Sequence, residues 1–181
     1  MTKINPDRDA EAGQDLFERA IGNLRLDRDL AFRFLVAFTR FEFALKTARF
    51  VFKGEYERAL EADFDCFAKN IAEVFQQELD GGDEALRSAC EFYRSSPPEK
   101  QIWSGCDLDW KGALPQNRRD SEFFLILLRR TRNNLFHGGK GWKRPEDDPH
   151  RDNLLMKHGL RILEAMISCQ PDVRREFSTF E

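Results

Sequence analysis

The segment that most constrains the fold is residues 27–53, which is rich in phenylalanine and contains neither glycine nor proline. Its apolar residues cover more than one helical stripe, and a helix of that kind belongs at the centre of a bundle. Phenylalanine suits such a position because it buries a large area without needing a hydrogen-bond partner. We therefore predict one long helix that Gly54 ends. The side chains expected to be buried are Phe34, Leu35, Phe38, Phe41, Leu45 and Phe52.

Five further helices are predicted from apolar spacing and from the glycines, prolines and capping residues that bound them. They cover residues 9–22, 55–79, 83–93, 120–137 and 152–169. Ser121 is the predicted N-cap of the helix over 120–137. Residues 102–117 contain Trp103 and Trp110 but no strand-like alternation of useful length, so an ordered loop held by its tryptophans is expected there. The sequence therefore predicts an all-α bundle of about five to six helices, in a single domain over residues 1–181.

The cysteines and the hydropathy pattern argue against several classes of protein. Cys66, Cys90, Cys106 and Cys169 form no CxxC pair and do not cluster with histidine, so we expect no metal site and no cofactor. The N-terminus is polar and does not resemble a signal peptide, and no apolar run approaches the ~20 residues that a membrane helix needs. We therefore expect a cytoplasmic protein with no membrane partner.

Polar residues gather at the end of the predicted helix over 120–137, where residues 129–139 read RRTRNNLFHGG. Arg129, Asn133 and His137 are spaced by four and share one helical face, toward which a long Arg132 side chain can lean. The negative end of the helix dipole favours a protonated histidine, and a histidine that titrates near neutrality can donate or accept a proton. The same residues also fit an ordinary helix C-cap beside a solvated basic face.

The end of this late predicted helix resembles the R-x(4-6)-H motif of the HEPN superfamily, since it contains an arginine, an asparagine, three further residues and a histidine in this order. Arg132 and His137 match this motif with four residues between them, and Asn133 fills the polar position that often follows the arginine. The predicted phenylalanine-rich helix is similar to the long core helix of these proteins. Glu42 and Lys46 on that helix resemble a charged pair that some branches carry. The resemblance implies a HEPN-like helical bundle.

The resemblance further implies a metal-independent endoribonuclease, in which the RNA 2′-hydroxyl attacks the adjacent phosphate and leaves a 2′,3′-cyclic phosphate. The implied catalytic residues are Arg132, His137 and Asn133. Among these, the histidine can transfer protons and the arginine can hold phosphate with two parallel hydrogen bonds. Residues expected to bind the substrate are Arg129, Arg130, Lys140 and Lys143, with Glu42 and Lys46 as supporting polar residues.

The expected partners are RNA and a second copy of the chain. One chain supplies a single histidine in this motif, and chemistry that moves two protons is more natural with two histidines. In HEPN proteins the motifs of two protomers face each other across a two-fold axis, so a homodimer with a shared active site is expected. The other two histidines, His150 and His158, are predicted to be surface residues.

The resemblance is compatible with a toxin, an antiviral defence or an RNA-processing role, and with an antitoxin or nucleotidyltransferase partner. Such a nucleotidyltransferase modifies a tyrosine just after the histidine, where this chain has Gly138 and Gly139, which puts that regulation in doubt. Two alternatives stay open, namely a non-catalytic HEPN module that binds RNA or a nucleotide, and a protein-interaction module. Salt separates them, because binding through phosphates weakens steeply with salt and apolar docking does not.

Overall fold

A computed structural model of the chain describes residues 25–52, 59–136 and 148–179. Within these ranges it contains seven α-helices and one two-stranded antiparallel sheet, which confirms the predicted all-α class. The predicted helix over residues 9–22 lies outside the described residues. In chain order the elements are α1 (Arg28–Thr47), α2 (Phe64–Asn70), α3 (Ala72–Asp80), α4 (Glu84–Ser95), β1 (Lys100–Trp103), β2 (Leu108–Lys111), α5 (Asp120–Phe136), α6 (Pro149–Ser168) and α7 (Pro171–Ser178).

Helix α1 begins where it was predicted to begin, because the Asp27 side chain accepts a hydrogen bond from the Leu30 backbone N–H at 3.0 Å. It ends at Thr47, so the prediction that it continues to Lys53 is wrong. Arg49 adopts a left-handed conformation with φ 67°, and the Phe50 N–H then bonds to the Leu45 carbonyl at 2.9 Å. These two features turn the chain out of the helix.

The chain after this turn is extended and pairs with the segment that precedes α2. Val51 forms an antiparallel β-bridge with Ala62, and the Phe52 N–H donates to the Glu61 carbonyl at 3.2 Å. Phe52 is consequently 56% exposed, and its predicted burial is wrong. Leu35 is only half-buried. The other predicted core positions of this segment are confirmed as buried, and they are Phe34, Phe38, Phe41 and Leu45.

The helix predicted over residues 55–79 is two helices, α2 and α3. Helix α2 begins only at Phe64, because the Asp63 side chain caps it by accepting a hydrogen bond from the Cys66 N–H at 2.9 Å. Buried Ile71 separates α2 from α3. Helix α4 agrees with its prediction, and its N-cap Asp83 accepts from the Leu86 N–H.

The segment predicted as a loop contains a β-hairpin, so the expectation of no strands is wrong. Lys100 pairs with Lys111 and Trp103 with Leu108, and Gly105 takes φ 98° in the turn. Only β2, with the sequence LDWK, alternates apolar and polar residues, while β1, with the sequence KQIW, does not, so the hairpin gives a weak sequence signal. Trp103 is 71% exposed, so this tryptophan does not hold the segment as expected.

Helix α5 starts at Asp120, so the predicted N-cap Ser121 lies inside the helix, where its buried hydroxyl donates to the Ala68 carbonyl at 2.7 Å. Helix α6 starts three residues earlier than predicted, capped by Asp148. Helix α7 was not predicted as a helix. It begins after Gln170, whose side chain accepts from two backbone N–H groups.

Helix α6 packs against α1, α4 and α5 and is, with α1, the centre of the bundle. Gly159 allows the closest approach, since it faces Tyr93, Phe34 and Leu128 from the three neighbouring helices. None of the helices in the described ranges is long and apolar enough to cross a membrane.

Candidate active site beside helix α5

A cavity of about 400 Å³ lies where α5 faces α1 and the segment that precedes α2. This volume is within the range of about 300–1,000 Å³ that is common for small-ligand sites. The cavity is lined by Phe38, Glu42, Lys46, Phe52, Glu61, Ala62, Phe64, Arg129, Arg132 and Asn133. The structure thus brings together five of the site residues predicted from the sequence, two on α1 and three on α5.

Glu42 connects the charged residues of the cavity. Its carboxylate lies 2.9 Å from Lys46 Nζ and 3.7 Å from Arg132 Nη2, and all three side chains are partly exposed. Arg132 also donates from Nη1 to Asn133 Oδ1 at 3.1 Å. Because Glu42 and Lys46 are on α1 and Arg132 is on α5, the carboxylate ties the two helices together across the cavity.

Two arginines lie over aromatic rings of the cavity wall. The guanidinium carbon of Arg129 is 4.7 Å from the centre of the Phe64 ring, and that of Arg132 is 5.9 Å from the centre of the Phe38 ring. The two rings are themselves neighbours, with centroids 6.1 Å apart. At these distances the guanidinium groups gain cation–π attraction to the rings, which favours their position at the cavity wall.

The charge of the lining is slightly positive. Three cationic side chains, Lys46, Arg129 and Arg132, face two carboxylates, Glu42 and Glu61. An anion such as a phosphate is therefore attracted, and the arginines can hold it with paired hydrogen bonds.

Arg130 and Asn134 lie on a different face of α5 and hold the hairpin segment instead. Arg130 Nη1 donates to the Ala113 carbonyl at 2.7 Å, and Asn134 Nδ2 donates to the Glu99 carbonyl at 2.9 Å. Burial lowers the pKa of Arg130. The structure thus separates Arg130 from Arg129, with which it was grouped as a substrate-binding residue, and from the predicted catalytic residue Arg132. The role of Asn134 was missed, since its neighbour Asn133 carried the motif.

A buried hydroxyl pair fixes the middle of α5. Tyr93 Oη on α4 lies 3.2 Å from Thr131 Oγ1, and it donates to the Leu155 carbonyl of α6 at 2.8 Å. Thr131 Oγ1 donates to the Leu127 carbonyl at 3.2 Å. Burial raises the pKa of Tyr93, so the phenol stays protonated. This contact sets the rotation of α5 and hence the face that it presents to the cavity.

His137, Lys140 and Lys143 lie outside the described residues. His137 follows Phe136, the last residue of α5, directly in the sequence. His150 is exposed, as predicted. His158 is half-buried and stacks on Phe92 with ring centroids 4.7 Å apart, so the prediction of a surface residue is wrong for it. Burial, with a smaller effect of the Lys157 charge, lowers the pKa of His158.

Metal-ligating side chains are dispersed across the part of the chain that the structure describes. No group of three or more His, Cys, Asp or Glu is placed there to hold a metal ion, and the four cysteines are free thiols. Comparison with models of known protein families, with curated proteins and with solved structures found no match.

Proposed function

We propose that this chain is a metal-independent endoribonuclease whose active site combines the α5 cavity with His137. The observation that supports the proposal is the position of Arg132 and Asn133. These two motif residues line one cavity with Arg129 and Lys46, where cationic side chains meet an aromatic wall. Cleavage of a phosphodiester by its own 2′-hydroxyl requires cationic side chains that stabilise the phosphorane and groups that transfer protons, and the second of these roles is the one proposed for His137.

In the proposed reaction a base removes the proton of the 2′-hydroxyl, and O2′ attacks the adjacent phosphorus. The bond from phosphorus to the 5′-oxygen breaks, and an acid supplies the proton that this oxygen takes. The products are a 2′,3′-cyclic phosphate and a 5′-hydroxyl. His137 transfers protons, and Arg132 stabilises the negative charge that accumulates on the phosphorane oxygens.

The ion pair with Glu42 does not prevent this role of Arg132. The contact is long, at 3.7 Å, whereas Lys46 lies 2.9 Å from the same carboxylate. Partly exposed ion pairs of this kind contribute only about 0–1 kcal/mol. Breaking the Glu42 contact when Arg132 binds a phosphate therefore costs little, and Lys46 keeps Glu42 neutralised.

A homodimer belongs to the proposal, because the reaction needs both a base and an acid and one chain has one histidine in the motif. Two copies of His137 related by a two-fold axis would supply both groups. Sedimentation at micromolar concentration should give about twice the chain mass of 21.2 kDa. A monomer at that concentration would remove the shared site from the mechanism.

The second candidate function is a non-catalytic module that binds RNA or a nucleotide. The exposed aromatic side chain of the cavity, Phe52, favours it, because such a side chain can bind a base without any need for catalysis. Only the first candidate cleaves RNA, so a cleavage assay distinguishes the two functions.

The test compares His137→Ala with His150→Ala on a labelled single-stranded RNA in EDTA. We expect His137→Ala to lower the cleavage rate by about 10²–10⁴-fold, the usual contribution of general acid–base catalysis. His150 is exposed and lies on α6, so its replacement controls for the loss of a histidine and should leave the rate unchanged. Equal cleavage by wild type and both variants would overturn the proposal.

A further inference from the structure

Phe52 is a large aromatic side chain that is exposed to solvent at the rim of the cavity. Its ring is 56% exposed and is part of the cavity lining. The backbone that leads to Phe52 pairs with the segment before α2, through the Phe52 N–H bond to the Glu61 carbonyl and the Asp63 N–H bond to the Phe50 carbonyl at 2.8 Å. This pairing places Phe52 at the cavity.

The surroundings of this ring limit the chemistry of what could cover it. Lys46, Arg129 and Arg132 line the same cavity, together with the carboxylates of Glu42 and Glu61. An apolar protein segment would have to strip water from all five charged groups, which is unfavourable. A ligand that joins a planar ring to a separate anionic group matches both the aromatic rim and the cationic excess, and a nucleotide, with its base and its phosphate, is such a ligand.

We propose that Phe52 stacks against one nucleobase of a single-stranded RNA whose neighbouring phosphate lies between Arg129 and Arg132. The cavity is then a subsite for one unpaired nucleotide beside the phosphate to be cleaved. This inference rests on the proposed ribonuclease function, and it adds the form of the substrate. In a duplex both faces of each base are covered by neighbouring bases, so only an unpaired or splayed nucleotide can reach the Phe52 ring.

The first measurement is binding of a fluorescently labelled hexanucleotide with 2′-O-methyl riboses, which lacks the attacking hydroxyl and is not consumed. Phe52→Ala should weaken binding by about 5- to 150-fold, the range that stacking of one base on an aromatic side chain is worth. Phe52→Trp should keep the affinity. Since the Phe52 ring is more than half exposed, its removal leaves the core intact.

Phe32→Ala is the matched control. Phe32 is 66% exposed on α1 and is not part of the cavity lining, so its replacement removes an equally exposed ring elsewhere. We expect it to bind as wild type does. Equal affinities of Phe52→Ala and Phe32→Ala, or no binding by wild type, would overturn the subsite.

The second measurement places one abasic ribose at each position of the hexanucleotide in turn. One position should weaken binding to wild type while leaving Phe52→Ala unaffected, because base and ring form a single interaction that either change removes. Additive losses at every position would overturn the stacking.

Cleavage of unmodified RNA is measured separately and keeps the two proposals distinguishable. If wild type cleaves RNA and Phe52→Ala does not change the affinity, the subsite is refuted and the ribonuclease proposal stands. If binding depends on Phe52 but no RNA is cleaved, the ribonuclease proposal is refuted and the cavity is a nucleotide-binding site.

Discussion

Gly159→Ala should destabilise the bundle, although alanine is the better helix former by about 1 kcal/mol. A methyl group at Gly159 would lie 2.5 Å from Tyr93 Oη, 2.9 Å from Phe34 Cε2 and 3.1 Å from Leu128 Cδ2. The first two distances are shorter than the non-bonded contacts that Cβ atoms make in proteins. All three partners are buried and belong to different helices, so none can move alone.

The size of the effect follows from these contacts. Overpacking a close-packed core costs about 1–3 kcal/mol. Displacing the Tyr93 hydroxyl breaks its bond to the Leu155 carbonyl, and a buried polar group without its partner costs about 1–3 kcal/mol. These costs exceed the gain in helix propensity, so we expect a loss of about 3 kcal/mol. For a chain of this length the melting temperature should fall by about 6–12 °C.

Thermal and urea unfolding followed by circular dichroism measure this loss. Gly112→Ala is the matched control, because a methyl group at Gly112 meets no atom within 4 Å. Tyr93→Phe removes the atom closest to the new methyl group, so Gly159→Ala should cost at least about 0.5 kcal/mol less in that background. A melting temperature that is unchanged or raised in Gly159→Ala would refute this reading of the helix packing.

Three further changes test other parts of the structure. Asn134→Ala removes the bond to the Glu99 carbonyl, so it should lower the local stability of the hairpin by about 1 kcal/mol and speed hydrogen exchange of amides 100–111. Unchanged exchange would show that this bond does not hold the hairpin. Burial holds the pKa of His158 below its usual value of about 6.5, so the stability that this residue contributes is full above that pH and falls as the pH drops below it. His158→Gln should reduce this loss between pH 7 and 5. If the free energy of unfolding changes equally with pH in wild type and in His158→Gln, this prediction is contradicted. Arg132→Lys should restore only part of the cleavage that Arg132→Ala loses, because an ammonium group cannot form the paired hydrogen bonds of a guanidinium, and full recovery would mean that charge alone suffices.

Some local signals in the sequence predicted parts of the fold correctly. The spacing of Phe34, Phe38 and Phe41 identifies the buried face of α1, and Asp27 and Asp83 mark helix starts through side chains that cap the next turn.

The end of α1 could not be predicted because its cause is not local. The chain leaves the helix after Thr47 to pair Val51 with Ala62, a contact between two segments whose phenylalanines and valine suit either a helix or a strand. The same turn moves Phe52 from its expected core position to the cavity rim.

In the candidate site, too, the sequence alone does not show which residues face the cavity. Arg129 and Arg130 are neighbours in the sequence, yet one lines the cavity and the other holds the Ala113 carbonyl. Successive residues of a helix point about 100° apart, so adjacent identical side chains serve different faces. Which arginine faces the cavity depends on the tertiary packing of α5, through the Tyr93–Thr131 contact and against α1 and the hairpin.

The most direct test of the proposed chemistry is the identity of the ends that the wild-type protein produces. A single-stranded RNA labelled at each end in turn is incubated in EDTA, and a DNA of the same base sequence serves as the control without 2′-hydroxyls. We predict cleavage of the RNA alone, with 2′,3′-cyclic phosphate and 5′-hydroxyl ends. Cleavage of the DNA as well, 5′-phosphate ends, or activity that appears only when a divalent ion replaces EDTA would contradict a metal-independent attack by the 2′-hydroxyl.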